Sequence, residues 1–142
     1  VSARTPRTGA CTPADARTRL RQARLYLEAA ELIQAEDLAE AATVATGNAV
    51  LAAIASADAI CCFTAGVRSR GQDHRQAIAL LQEVTGDTTL ARALREVPDL
   101  KVQRWALAPA GDYGLSNVTA ANCTAALGRA RTLVDAAGVR MT

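Results

Sequence analysis

Apolar residues recur at helical intervals through most of the chain, and no run alternates with the period of two that marks a half-buried strand. Leu20, Ala23, Leu27, Ala30 and Gln34 repeat at helical spacing, with Leu25 and Leu32 beside them. This first helix opens at Thr12-Pro13-Ala14-Asp15, with Thr12 as N-cap, Pro13 at the first helical position and Asp15 reaching back. It is expected to run to about residue 36.

A second helix follows over about 41–66. Val50, Leu51, Ile54, Ala57, Cys61 and Cys62 form its stripe, and Gly66 stops it. It is apolar nearly all round, which makes it the central helix. A third begins near Gln72 or Asp73, buries Ala77, Ile78, Leu81 and Val84, and breaks at Thr85-Gly86-Asp87. A short helix over about 88–96 carries Leu90 and Leu94, with Val97 just after it, and Pro98 opens another segment through Leu100, Lys101 and Trp105. Residues 108–114 read as a loop. Ser116 caps a last helix that ends before Gly138, with the stripe Cys123, Ala126, Leu127, Ala130, Leu133, Val134 and Ala137. The pattern predicts an all-α, up-and-down bundle of four main helices plus short ones. One domain spans 12–138, between a loose N-terminal tail, 1–11, and a short C-terminal tail, 139–142.

Residues 49–67 carry one charge, Asp58, and are long enough to span a bilayer. They are mostly alanine, and an aspartate at mid-span is unfavourable there. A buried helix of a soluble protein is the expectation.

Composition sharpens this picture. The aromatic residues are Tyr26, Phe63, Trp105 and Tyr113, so the core is built from Ala, Leu, Val and Ile. The net charge of +2 is far from the footprint of a dedicated DNA-binding domain. Its distribution is uneven. Arg4, Arg7, Arg17, Arg19, Arg21 and Arg24 are opposed only by Asp15, whereas Glu28, Glu31, Glu36, Asp37 and Glu40 follow with no basic residue among them. The first helix thus carries its charges against its macrodipole. Pairing with an antiparallel copy would set the arginine half against the glutamate half, which predicts a twofold homodimer; solvent screening is the alternative. Cys11, Cys61, Cys62 and Cys123 form no CxxC, and no secretory signal is evident. Free thiols and a cytoplasmic location are expected.

The chain has no phosphate-binding glycine loop, no metal-ligand spacing and no nucleophile elbow, so neither a metal nor a cofactor is expected. Chemistry concentrates in the segment VRSRGQDHRQA, 67–77, which holds the only histidine. Asp73 can accept backbone N–H groups at the start of the third helix, with His74 in its first turn. Arg68, Arg70 and Arg75 surround that helix start and would hold a phosphate while His74 moves protons. The alternative is a capped helix with a solvated arginine-rich turn. Asp58 interrupts the apolar second helix and is expected to have a partner, an arginine of the 68–75 turn being within reach. Tyr113, with Asp112 and Gly114, follows Lys101 and Arg104 in a loop that either lines a site or merely connects.

Five segments together resemble a group of actinobacterial HEPN-like proteins: SADAICC, RSRGQDHRQAIALL, LREVPDLK, DYG and ALGRARTLVDAAG. The likeness spans about residues 20–137. It implies a helical bundle, often dimeric, and in many members a metal-independent RNase of toxin–antitoxin or defence systems. Such sites use an arginine and a histidine four to six residues apart, duplicated across a dimer. The histidine acts on the ribose 2′-OH or the leaving oxygen, and the arginine stabilises charge on the phosphate. Arg68 and His74, separated by five residues, match that spacing and are the implied catalytic pair. Arg70, Asp73, Arg75, Asp58, Lys101 and Tyr113, read from the residues themselves, are the candidate substrate-binding residues.

Two functions compete. One is an RNA-binding or RNA-cleaving protein acting through Arg68, Arg70 and His74. The other is a non-catalytic helical module that engages a nucleotide or a protein partner, such as a nucleotidyltransferase-like protein, through the same basic turn. Residues 101–114 contain no histidine, which favours the module; the leading expectation is nevertheless a HEPN-like protein with an RNA or nucleotide connection, and the module is its alternative. A DNA-binding regulator is weaker, because no turn-linked helix pair presents a basic, base-reading face.

Overall fold

The computed structural model describes residues 8–70, 74–98 and 118–142. In chain order the elements are β1 (Thr8–Ala10), α1 (Pro13–Gln34), α2 (Ala41–Ala65), β2 (Val67–Ser69), α3 (His74–Thr85), α4 (Thr88–Glu96) and α5 (Ala120–Arg140). The chain is an all-α bundle with one small two-stranded ribbon attached.

The start of α1 is the reciprocal cap its sequence predicts. Asp15 N–H donates to Thr12 Oγ1 at 3.1 Å, and Thr12 N–H donates to Asp15 Oδ2 at 2.9 Å. Ala16, Leu20, Ala23, Leu27 and Ala30 are its buried face, one residue in each turn or nearly so.

The central element is α2, which packs on α1, α5, α3 and β2. Alanines at 45, 49, 52, 53, 55 and 59 are fully enclosed, and Val50 and Ile60 are the bulky residues among them. Such small side chains let neighbouring backbones approach closely, and any added methylene would have to displace a neighbour. The buried hydroxyls of Thr46 and Ser56 donate to the carbonyls of Ala42 and Ala52, one turn back, which satisfies them without a partner from another helix. Among the described residues α2 is the one helix long and apolar enough to cross a membrane, and 67% of its apolar window is buried inside the bundle. Gly66 ends it in the left-handed conformation, φ 69°, as a glycine stop requires.

Two short helices close one side. Ile78, Leu80 and Leu81 of α3, with Leu90, Ala91, Ala93 and Leu94 of α4, join the common core. Asp87 caps α4 by accepting from the N–H groups of Thr89 and Leu90. All seven residues of the predicted final stripe are buried on α5.

The structure departs from the sequence expectations in three places. Residues 8–11 are not loose: β1 pairs antiparallel with β2, Gly9 opposite Arg68, and Cys11 N–H donates to Gly66 O at 2.9 Å. Three-residue strands are too short to show an alternating pattern, so the ribbon has no periodic signature. The last helix is capped by Thr119, whose hydroxyl accepts from Asn122 N–H, and it continues through Gly138 to Arg140. Helical packing tolerates that glycine, and Arg24 lies over it. The predicted Ser116 cap, and the segment from Leu100 through Trp105 to the 108–114 loop, lie outside the described residues.

Candidate functional site

The ribbon, the start of α1 and the end of α2 meet around the disulfide Cys11–Cys62. The expectation of four free thiols is therefore corrected; Cys61 and Cys123 remain free, and both are buried. The reason the sequence hides this bond is topological. Cys11 and Cys62 are 51 residues apart, and only the antiparallel return of α2 along α1 brings them together.

Beside the disulfide lies an open cleft of about 410 Å³ whose polar lining is Asp15, Thr18, Arg19, Gln22 and Arg68. Arg19, one of its lining residues, holds Asp58. Nη2 donates to Oδ2 at 2.8 Å and Nε to the same oxygen at 3.2 Å, while Nη1 donates to Gln22 Oε1 at 2.9 Å. The Asp58 side chain is 9% exposed, that of Arg19 30%. Asp58 is thus partnered, as expected, but by α1; Arg68 of the 68–75 turn adds a longer-range field. Burial outweighs both arginines and raises the Asp58 carboxyl above its ordinary value. Burial, with a smaller contribution from Asp58, pushes the neighbouring Cys61 thiol up to about 12, so it is no nucleophile. At the cleft mouth Asp15 is lowered by its hydrogen bonds to the Thr12 backbone and side chain, and less by Arg68.

His74 stands elsewhere. Its Nε2 lies 2.8 Å from the carbonyl oxygen of Leu94, tying the first turn of α3 to α4. A carbonyl only accepts, so Nε2 must carry the proton. His74 is half-buried and does not line the cleft that Arg68 lines. The two residues of the implied nuclease pair are therefore held in different settings, one over a polar cleft and one in a helix–helix contact.

Arg68 and Arg70 are exposed on and after β2, and Arg75 is exposed on α3. The Arg70 side chain crosses directly over Gly9, where a Cβ would collide with it. Among the described residues, two buried side-chain polar atoms lack a hydrogen-bond partner, and both flank this turn: Ser69 Oγ and Gln76 Oε1. The remaining predicted site residues, Asp73, Lys101 and Tyr113, lie outside the described residues. Among those described, no group of three or more His, Cys, Asp and Glu side chains could hold a metal ion.

Sequence reasoning missed Arg19, Asp15 and Gln22 as cleft residues. Arg19 stood in the uneven run of arginines along the first helix, but nothing in that run marked which one turns inward.

No family model, curated protein or solved structure matches the chain.

Proposed function

We propose that this protein is a non-catalytic helical binding module, HEPN-like in layout, whose basic turn between α2 and α3 docks an acidic or phosphate-bearing partner. A nucleotidyltransferase-like protein is the partner class the reading favours. The observation that carries it is the state of His74: its Nε2–H is committed to the Leu94 carbonyl, so the one imidazole of the chain serves the α3–α4 contact. The turn nevertheless offers exposed guanidinium groups at Arg68 and Arg70 beside two unpartnered buried polar atoms.

Binding is tested by comparing wild type with an Arg68→Glu/Arg70→Glu variant in pull-downs and in titrations with RNA and nucleotides. Loss of a partner in the variant, with no turnover of RNA by wild type, supports the module. RNA cleavage that survives EDTA, yields cyclic-phosphate ends and disappears in His74→Ala would replace it with the toxin- or defence-type RNase reading, in which His74 releases Leu94 to act with Arg68.

The compartment is part of the same proposal. A cytoplasmic location followed from free thiols, and reducing conditions there would open Cys11–Cys62. The disulfide favours an oxidising compartment, and alkylation of thiols in intact cells before lysis distinguishes the two.

A further inference from the structure

Both cysteines of the disulfide belong to the wall of the 410 Å³ cleft, alongside Arg19 and Arg68. A sulfur–sulfur bond that borders a cleft can be reached by a dissolved nucleophile without unfolding of the bundle, and access is one of the conditions that sets the rate of exchange. The two sulfurs are not equivalent. Cys11 is partly buried, in the connection between β1 and α1, whereas Cys62 is 3% exposed in the last turn of α2. Cys62 Sγ also packs 3.2 Å from the carbonyl oxygen of Thr12. A nucleophile entering from the cleft therefore meets Cys11 Sγ, and Cys62 is the leaving group. Where the described chain resumes after residue 98, Val118 N–H donates to Thr43 Oγ1, near the opposite end of α2, roughly 28 Å of helix from Cys62.

The groups around the bond suit that order. A departing thiolate is stabilised by a nearby cation. Arg19 is committed to Asp58 and Gln22, and Asp15 to the Thr12 N–H. The guanidinium of Arg68 is exposed, and its field already reaches Asp15 and Asp58. Cys61 follows the chain next to the leaving sulfur but takes no part, because it is buried and keeps its proton to about 12. Internal reshuffling is closed, and a second external thiol must complete the reaction.

We propose that this cleft is a thiol–disulfide exchange site for a low-molecular-weight thiol. The thiolate attacks Cys11 Sγ and bonds to it. The Cys11–Cys62 bond breaks, and its electron pair leaves on Cys62 as a thiolate beside Arg68. A second thiolate attacks the sulfur of the first, which releases a small-molecule disulfide and the Cys11 thiolate. Two small thiols are oxidised and one protein disulfide is reduced, and the protons of the two thiols pass through water to the two cysteines. With the bond open, β1 is left to hold β2 by pairing over three residues, and so short a ribbon is marginal alone. The exchange uses Arg68 but requires no docked partner, so it stands or falls apart from the binding reading.

The oxidised full chain is incubated with millimolar reduced glutathione, quenched in acid with a thiol trap, and mapped by mass spectrometry. The glutathione adduct is expected on Cys11, with Cys62 as the trapped thiol. The rate should rise in proportion to glutathione and stay flat in urea below the unfolding transition. Arg68→Gln should slow it several-fold at an unchanged melting temperature. An adduct that forms first on Cys62 overturns the proposal. So does a rate that climbs steeply with urea below the transition, since the bond would then be reached only through unfolding. A bond that survives a day of treatment, or an Arg68→Gln variant that exchanges at the wild-type rate, overturns it equally.

Discussion

Arg19 of α1 and Asp58 of α2 form an ion pair across 39 residues of sequence, with both guanidinium donors falling on one carboxylate oxygen. The pair is unequal, because the aspartate is nearly enclosed and the arginine is partly in water. Removing the arginine leaves a buried charge without its partner, whereas replacing the aspartate leaves a guanidinium that solvent can reach. Arg19→Ala should therefore cost more stability than Asp58→Asn. Partial exposure of Arg19 moderates the penalty below that of a fully buried pair, to about 1–3 kcal/mol. Urea denaturation of the two variants checks the order; equal losses, or a larger loss in Asp58→Asn, would contradict it.

The two aspartates near the cleft should pull stability in opposite directions with pH. Asp58 has a folded pKa above its unfolded value of 3.8, so its contribution is fully present below that value and falls as pH rises through the folded pKa. Asp15 is lowered, so its contribution is present above 3.8 and is lost as pH falls through the folded pKa. Wild type minus Asp58→Asn should thus become less favourable on moving from acid toward neutral pH. Wild type minus Asp15→Asn should become more favourable over the acid range. Thermal melts of the three proteins from acid to neutral pH read both slopes, and two slopes of one sign would refute the assignment.

His74 should behave as a helix–helix fastener. His74→Ala is expected to lower stability by about 1–2 kcal/mol, the loss of one hydrogen bond plus an unsatisfied Leu94 carbonyl. His74→Gln, which can still offer an N–H, should recover part of that loss. Hydrogen exchange should report the damage in α3 and α4 first, with α1 and α2 unaffected. A fully stable His74→Ala would mean that the imidazole is free for other work.

Much of the fold was legible because helical spacing is a direct imprint of burial. Every residue of the α5 stripe, and Thr12, Pro13 and Asp15 at the start of α1, stand where periodicity and cap chemistry put them. The site was less legible. Asp58 announced its need for a cation by being the lone charge in an apolar helix, but the choice of Arg19 over the nearer arginines depends on how α1 and α2 are registered. His74 sat in a run of arginines that looked catalytic. Its bond to Leu94 spans 20 residues and follows from the packing of α3 on α4, which no local pattern encodes. Cys11 with Cys62 is the same case at longer range, since adjacent Cys61 and Cys62 differ only in which way a helical turn points them.

The disulfide should matter for stability as well as for the chemistry of its sulfurs. Cross-linking residues 51 apart restricts the unfolded chain, and loops of that order are worth about 2–4 kcal/mol. Cys11→Ser, or reduction of wild type, should lower the denaturation midpoint accordingly and release β1 from β2, because Cys11 N–H to Gly66 O is the bond that continues the ribbon toward α1. Alkylation separates the four cysteines. In the native oxidised protein Cys61 and Cys123 should react slowly, both being buried and Cys61 holding its proton to about 12, while reduction should make Cys11, the one only partly buried, the first to label. Mass spectrometry of the labelled protein checks this order. Four equivalent thiols without reduction, or an unchanged midpoint after it, would show that the bond does not hold the end of α2 to the start of α1.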